Sequence, residues 1–169
     1  MQLKNGGRAL VAGSFDPVTK GHENIVNYAL TRYETVYVTA FINSEKEYHF
    51  DAEERLQMLK SSFSGNKNII VDMSNGYLAD YCKEKGINTV VKGVRNEKDA
   101  EYEKIQQEFN SKRNPSLKTE YYIANANDCD ISSTLVRKKL AAKEDIKGLV
   151  PSGAYLWLSE HGYIEEENK

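Results

Sequence analysis

An α/β fold built on a doubly wound, parallel, five-stranded sheet with helices on both faces is predicted by three features of this sequence. Short runs of strand-forming residues recur at 8–12, 35–41, 68–73, 89–94 and 120–123. Segments with helical spacing of apolar residues separate them, which is the alternation of βαβ units and a parallel sheet. No internal repeat or low-complexity tract interrupts this order over 169 residues, a length suited to one domain with C-terminal helices.

The first strand run, 8–12, stops at Gly13 and a turn in which Asp16-Pro17 is favoured and Thr19 is placed to cap a helix. That helix, 22–33, sets Ile25, Val26, Ala29, Leu30 and Tyr33 on one face. After the second strand, Asp51 and Glu54 form a capping-box pair, and Leu56, Leu59 and Phe63 follow at helical spacing. The third helix, about 77–85, runs into Gly86, a natural left-handed stop. A fourth contains Glu101, Tyr102 and Glu103, and a fifth opens at the paired serines Ser132 and Ser133. The last spans about 151–161 and ends before Gly162, with residues 163–169 read as a polar tail on the single domain 1–169. The whole arrangement is Rossmann-like, so ligands are expected beyond the carboxyl ends of the strands.

Composition narrows the partners. With 40% hydrophobic and 28% charged residues the chain is ordinary for a globular protein. A net charge of -2 recommends neither nucleic acid nor an anionic membrane as a partner. Cys82 and Cys129 are the only cysteines, with no CxxC pair, and no apolar run approaches a membrane span. A soluble, cytoplasmic protein is the expectation.

The stretch G-S-F-D-P-V-T-K-G-H, residues 13–22, joins the first strand to the first helix. Gly13 admits close backbone approach, Ser14 and the following amides offer donors, and the helix terminus attracts anions, phosphates above all. A histidine cation is disfavoured at that terminus, where Glu or Asp would serve a purely structural cap better. His22 makes sense there if an anion arrives. Lys46 follows the second strand and can reach the same pocket. Lys92 and Arg95 flank Gly93 at the end of the fourth strand, and D-I-S-S-T-L-V-R, residues 130–137, offers hydroxyls and amides at another helix start. Neither a P-loop nor a GxGxxG string is present.

The 13–22 string resembles the signature of the nucleotidyltransferase α/β-phosphodiesterase superfamily. With Lys46, K-G-V-R, D-A-E-Y-E and I-S-S-T-L-V-R in this order, nearly the whole chain resembles the phosphopantetheine adenylyltransferase family. The resemblance implies transfer of AMP from ATP to 4'-phosphopantetheine, with Mg2+, in coenzyme A biosynthesis, by a homohexamer. It implies ATP contacts at Ser14, Phe15, His22, Gly93, Val94, Arg95, Glu103, Asp128, Cys129, Asp130, Ile131, Ser132, Ser133 and Thr134. It implies acceptor contacts at Ser14, Lys46, Leu78 and Lys92, with His22 and Lys46 catalytic and the magnesium held mainly by ATP and water. The sequence departs from the family pattern at Ser14 for threonine, Lys92 for arginine, Ala100 for phenylalanine and Asp128-Cys129-Asp130 for a more apolar lead. Two alternatives stay open: a nicotinate or nicotinamide mononucleotide adenylyltransferase, which shares the I-S-S-T motif, and a non-catalytic nucleotide sensor on the same fold.

Overall fold

The computed structural model describes residues 5–165, and strands and helices alternate through them. In chain order they are β1 (Asn5–Gly13), α1 (Lys20–Arg32), β2 (Tyr33–Phe41), α2 (Ala52–Phe63), β3 (Ile69–Ser74), α3 (Leu78–Lys85), β4 (Thr89–Val94), α4 (Glu97–Arg113), β5 (Lys118–Ile123), α5 (Ser133–Ala141) and α6 (Ser152–Glu160). All five strands are parallel, in the order β3-β2-β1-β4-β5. The order reverses between β1 and β4, which makes that junction the switch point where such sheets hold ligands. β1 follows β2 as far as Gly13 but pairs with β4 only at Ala9–Thr89 and Leu10–Val90. Beyond those two pairs β1 and β4 no longer pair, and it is between such carboxyl ends that sheets of this topology form a ligand crevice.

Alternate residues of each central strand point to opposite faces, and the core divides accordingly. Ala9 and Val11 of β1 join Val36 and Val38 of β2 beneath α1, α2 and α6, through Val26, Ala29, Met58, Leu59 and Leu158. Leu10, Tyr37 and Val90 face the other way and meet Tyr81 and Cys82 of α3. Helices therefore cover both faces of the sheet, as the sequence predicts. α4 contributes little to either cluster: none of its residues is buried, and Tyr102, Ile105 and Phe109 stand exposed.

Caps set the helix ends. Asp51 and Glu54 form the expected capping box, with Asp51 Oδ1 accepting the Glu54 amide at 2.8 Å and Glu54 Oε2 accepting the Asp51 amide at 2.9 Å. Gly86 closes α3 at φ 66°, the left-handed conformation the sequence predicts. Two expectations are corrected. The buried face of α2 is formed by Arg55, Met58, Leu59 and Phe63, whereas Leu56 is only half-buried, because at about 100° per residue a face centred on Met58, Leu59 and Arg55 leaves position 56 at its margin. Tyr163 and Ile164 do not belong to a polar tail: the Tyr163 hydroxyl donates to Glu54 Oε1 at 2.5 Å, its ring packs against Phe50 and Trp157, and Ile164 packs on the core. Residues 166–169 lie outside the described residues.

α2 and α6 approach closely enough that a Cβ on Gly153 would lie 2.0 Å from the Ser61 carbonyl oxygen and 2.4 Å from its carbon. Only glycine fits at that crossing. The Trp157 indole N–H donates to Gln57 Oε1 at 3.0 Å and fixes the same pair of helices one turn further on.

Among the described residues, no helix is long and apolar enough to cross a membrane.

Candidate active site

The turn after β1 is shaped by contacts from distant parts of the chain. Phe15 sits at φ 50°, a left-handed conformation that is uncommon for a residue with a side chain. Its ring is 1% exposed and meets the His22 ring edge-on, with centroids 4.7 Å apart. Any contact between Phe15 and a nucleotide therefore runs through its backbone. Asp16 is buried, and its carboxylate accepts the amides of His49 and Phe50, each at 2.9 Å. Arg137 of α5 donates to the Asp16 carbonyl at 2.7 Å, and Ser133 donates to the Pro17 carbonyl at 2.8 Å.

Thr19 caps α1, and His22 occupies the position where a capping box ordinarily holds Glu or Gln. The Thr19 amide donates to His22 Nδ1 at 3.0 Å, so that nitrogen carries the lone pair and the neutral ring bears its proton on Nε2. Enclosure by the protein, and secondarily the Arg95 guanidinium, push the His22 pKa down to about 4. At neutral pH the ring is an uncharged donor at the positive end of a helix, in keeping with the unfavourable dipole there. A glutamate would cap equally well but offers no outward N–H. The spare Nε2–H is what capping leaves unexplained.

Because the folded pKa lies below the ordinary 6.5, His22 contributes stability that is present above pH 6.5 and is lost as the pH falls toward 4. Titration of the His22 ring followed by nuclear magnetic resonance should show the Nε2–H tautomer and a midpoint near 4. A midpoint near 6.5 would mean an ordinary, solvated imidazole.

The other predicted segments meet this turn. Lys46, exposed on the loop after β2, donates to Ser14 Oγ at 3.3 Å. Arg95 donates to the Ile131 carbonyl at 3.4 Å and pairs with Asp99 at 3.0 Å. Asp128 accepts from the Asn24 side chain at 3.1 Å, which ties the loop before α5 to α1. Cys129 turns inward, its thiol 3.1 Å from the Asn125 carbonyl, while Asp130 and Thr134 are exposed. Val94 ends β4 and is half-buried. Gly93 has a packing reason, since a Cβ there would lie 2.6 Å from Ile25 Cδ1 of α1.

Two expectations about donors change. Ser132 Oγ accepts the Leu135 amide at 3.1 Å and Ser133 spends its proton on Pro17, so α5 offers an anion its terminal amides more than these hydroxyls. Lys92 is not an open cation: its ammonium pairs with Glu103 of α4 at 2.5 Å and donates to Gln106 Oε1 at 2.9 Å. Leu78 takes part in none of these polar contacts. It is half-buried in the cluster under α3 that also takes in Ala12 and Phe41, at the carboxyl ends of β1 and β2. A separate cavity of about 460 Å3 beside β3, lined by Asp72, Ser74, Tyr81 and Glu84 among others, contains none of the predicted site residues.

Asp16, Arg55 and Arg137 were not singled out as site residues in the sequence, yet all three hold the turn. Arg55 is 1% exposed and donates to the Ser14 carbonyl at 2.9 Å. Its spacing from Met58 and Leu59 is the available sign, because it puts a charged residue on a buried helical face.

A parallel sheet with a switch-point crevice, a helix terminus bearing a neutral histidine donor, and converging lysine, arginine and amide groups defines an α/β protein built to hold phosphate groups. A family model described as Cytidylyltransferase-like matches residues 10–139, a span that contains every predicted site residue. The chain belongs to this family, within the nucleotidyltransferase superfamily, and its chemistry is nucleotidyl transfer.

Proposed function

We propose that the protein transfers AMP from ATP to 4'-phosphopantetheine, forming dephospho-coenzyme A and releasing pyrophosphate. The observation that carries this reading beyond the family is the meeting of Lys92 from K-G-V-R with Glu103 from D-A-E-Y-E at the crevice. That pair of motifs separates the phosphopantetheine reading from the mononucleotide one. The presence of His22 against Phe15 and of Lys46 beside Ser14, on one turn, favours turnover over a mere sensor.

In the proposed reaction an oxygen of the acceptor phosphate forms a bond to the α-phosphorus while the bond from that phosphorus to the bridging oxygen of pyrophosphate breaks. The second pKa of a phosphate monoester is about 6, so the attacking oxygen is largely ionised at pH 7 without a protein base. His22, protonated at Nε2 and with its pKa near 4, is suited to donating a hydrogen bond to the crowded α-phosphate. Lys46 brings positive charge to the side of Ser14, and the α1 and α5 termini supply amides. Positioning and charge neutralisation are thus the work asked of the protein.

Among the described residues no group of three or more His, Cys, Asp or Glu side chains is arranged to hold a metal ion. The donors facing the crevice are cationic or amide, which fits magnesium brought in on triphosphate oxygens and water. Bound that way, it would screen the phosphate charge. The proposed assembly is a homohexamer, and the exposed Tyr102, Ile105 and Ile123 on α4 and β5 support a covered surface there.

Pyrophosphate release measured with ATP or CTP against 4'-phosphopantetheine, nicotinate mononucleotide and nicotinamide mononucleotide tests the reading. Release is expected with ATP and 4'-phosphopantetheine alone. Release with a pyridine mononucleotide instead would overturn the assignment, and none with any pair would favour the sensor. Lys92→Ala should raise the Michaelis constant for 4'-phosphopantetheine roughly 10-fold or more, the worth of a charged hydrogen bond, with a much smaller change for ATP. An unaltered acceptor constant would reduce Lys92 to the partner of Glu103.

A further inference from the structure

Arg55 is a cation enclosed by protein, and among the described residues it has no carboxylate partner at ion-pair distance. Burying a charge this way is costly, and an apolar side chain would fill the same place on α2 at less expense. Its contacts indicate what the charge does. One end of the guanidinium donates to the Ser14 carbonyl at 2.9 Å, Nε donates to the Asp51 carbonyl at 3.3 Å, and Cζ lies over the Tyr48 ring, 3.8 Å from its centre.

Tyr48 belongs to the loop that carries Lys46. Its hydroxyl accepts the Asn43 amide at 2.9 Å and so draws the two ends of that loop together. The Lys46 ammonium lies 5.6 Å from the centre of the same ring and 3.3 Å from Ser14 Oγ. One buried guanidinium is thereby attached both to the turn that presents Ser14 and to the ring beside which Lys46 lies. An exposed lysine left to itself samples many rotamers, and each one lost costs free energy at the moment of binding. A guanidinium suits this task better than an ammonium, since its flat fork can stack on a ring while donating from its edge.

We propose that Arg55 is a positioning residue that sets the spacing between Ser14 and Lys46, acting on one side through the Ser14 carbonyl and on the other through Tyr48. Its catalytic consequence rests on the transfer proposed above; its structural part does not. Arg55→Lys keeps a cation but loses the fork and the stacked plane. Tyr48→Leu leaves Arg55 and its bond to Ser14 in place and serves as the second variant if Arg55→Lys does not fold.

Amide hydrogen exchange, measured on the full chain without substrate, reads the structural part. In Arg55→Lys, exchange should rise at least tenfold both in the turn at 14–16 and in the loop at 43–49, with the amides of β1 and β2 unchanged. In Tyr48→Leu it should rise in the loop alone. Unchanged exchange in both segments, or a uniform rise across the sheet, would overturn the proposal.

Kinetics read the catalytic part. Arg55→Lys should lower kcat for pyrophosphate release on the order of 10- to 100-fold, the cost of a misplaced reacting group, with the Michaelis constant for ATP changed much less. The same substitution should cost little further in a Lys46→Ala background, because no ammonium is left to position. An equal loss in both backgrounds would overturn the link to Lys46. Wild-type protein that releases no pyrophosphate with 4'-phosphopantetheine would overturn the proposed function, while the exchange measurement still decides whether Arg55 couples the two loops.

Discussion

His22→Ala is expected to lower turnover ~100-fold or more, roughly 3 kcal/mol at the barrier, while ATP affinity changes little. The reason is the division of labour between the two ring nitrogens. Nδ1 is committed to the Thr19 amide, which leaves Nε2–H for the charge that grows at the α-phosphorus in the proposed transfer. Alanine removes both functions, so it should also cost about 1 kcal/mol of stability for the lost half of the capping box. His22→Glu separates them: a carboxylate restores the cap but presents no donor, and it should be at least as inactive as alanine while melting closer to wild type. Turnover within a few-fold of wild type in His22→Ala would reduce the residue to its cap.

Gly153→Ala should destabilise the fold by about 3 kcal/mol and lower Tm by about 10 °C, although it adds one methyl group far from the crevice. That methyl would fall onto the Ser61 carbonyl of α2, and backbone cannot rotate away as a side chain can. The helices must separate, which also stretches the Trp157–Gln57 hydrogen bond and loosens the packing of Leu158. Thermal unfolding followed by circular dichroism checks this, with Gly148→Ala as the comparison because a Cβ there meets nothing within contact distance. An equal effect of the two substitutions would mean that α2 and α6 do not cross as closely as described.

The inner strands β1, β2 and β4 were legible in the sequence because their apolar residues are buried by helices on both sides, and composition alone marks such runs. The edge strands β3 and β5, which bury no residue fully, were legible by their β-branched and aromatic residues. Thr19, Asp51 and Gly86 were legible because caps use local rules. The convergence of Ser14, His22, Lys46 and Arg95 was legible in order along the chain and in the known habit of parallel sheets to bind ligands at one edge. Partnerships across the fold were not. That Lys92 would be held by Glu103, or that Ser133 would spend its proton on Pro17, depends on where α4 and α5 come to rest: the first pair is near in sequence but sits on a strand and a helix joined by a turn, and the second is remote along the chain. The direction of the Phe15 ring is hidden for another reason: it goes with a positive φ that residue type signals for glycine, and less strongly for Asn or Asp, but not for phenylalanine. Arg55 lay between these cases, since its position on the buried face could be counted out once Met58 rather than Leu56 was taken as the centre of that face.

The Asp16 contacts bear on how far the 13–22 string can be treated as a portable unit. Its carboxylate is held by amides from the approach to α2, its carbonyl by a guanidinium from α5, and neither donor is encoded within the string. A graft of these ten residues onto another strand–turn–helix would carry the letters without the clamps, and the turn would relax to whatever its new neighbours allow. The converse holds for the rest of the chain, where a change at Arg137, or a proline at His49 that removes the donating amide, can rewrite the turn without touching it. What is inherited as a motif is kept in shape as a tertiary structure.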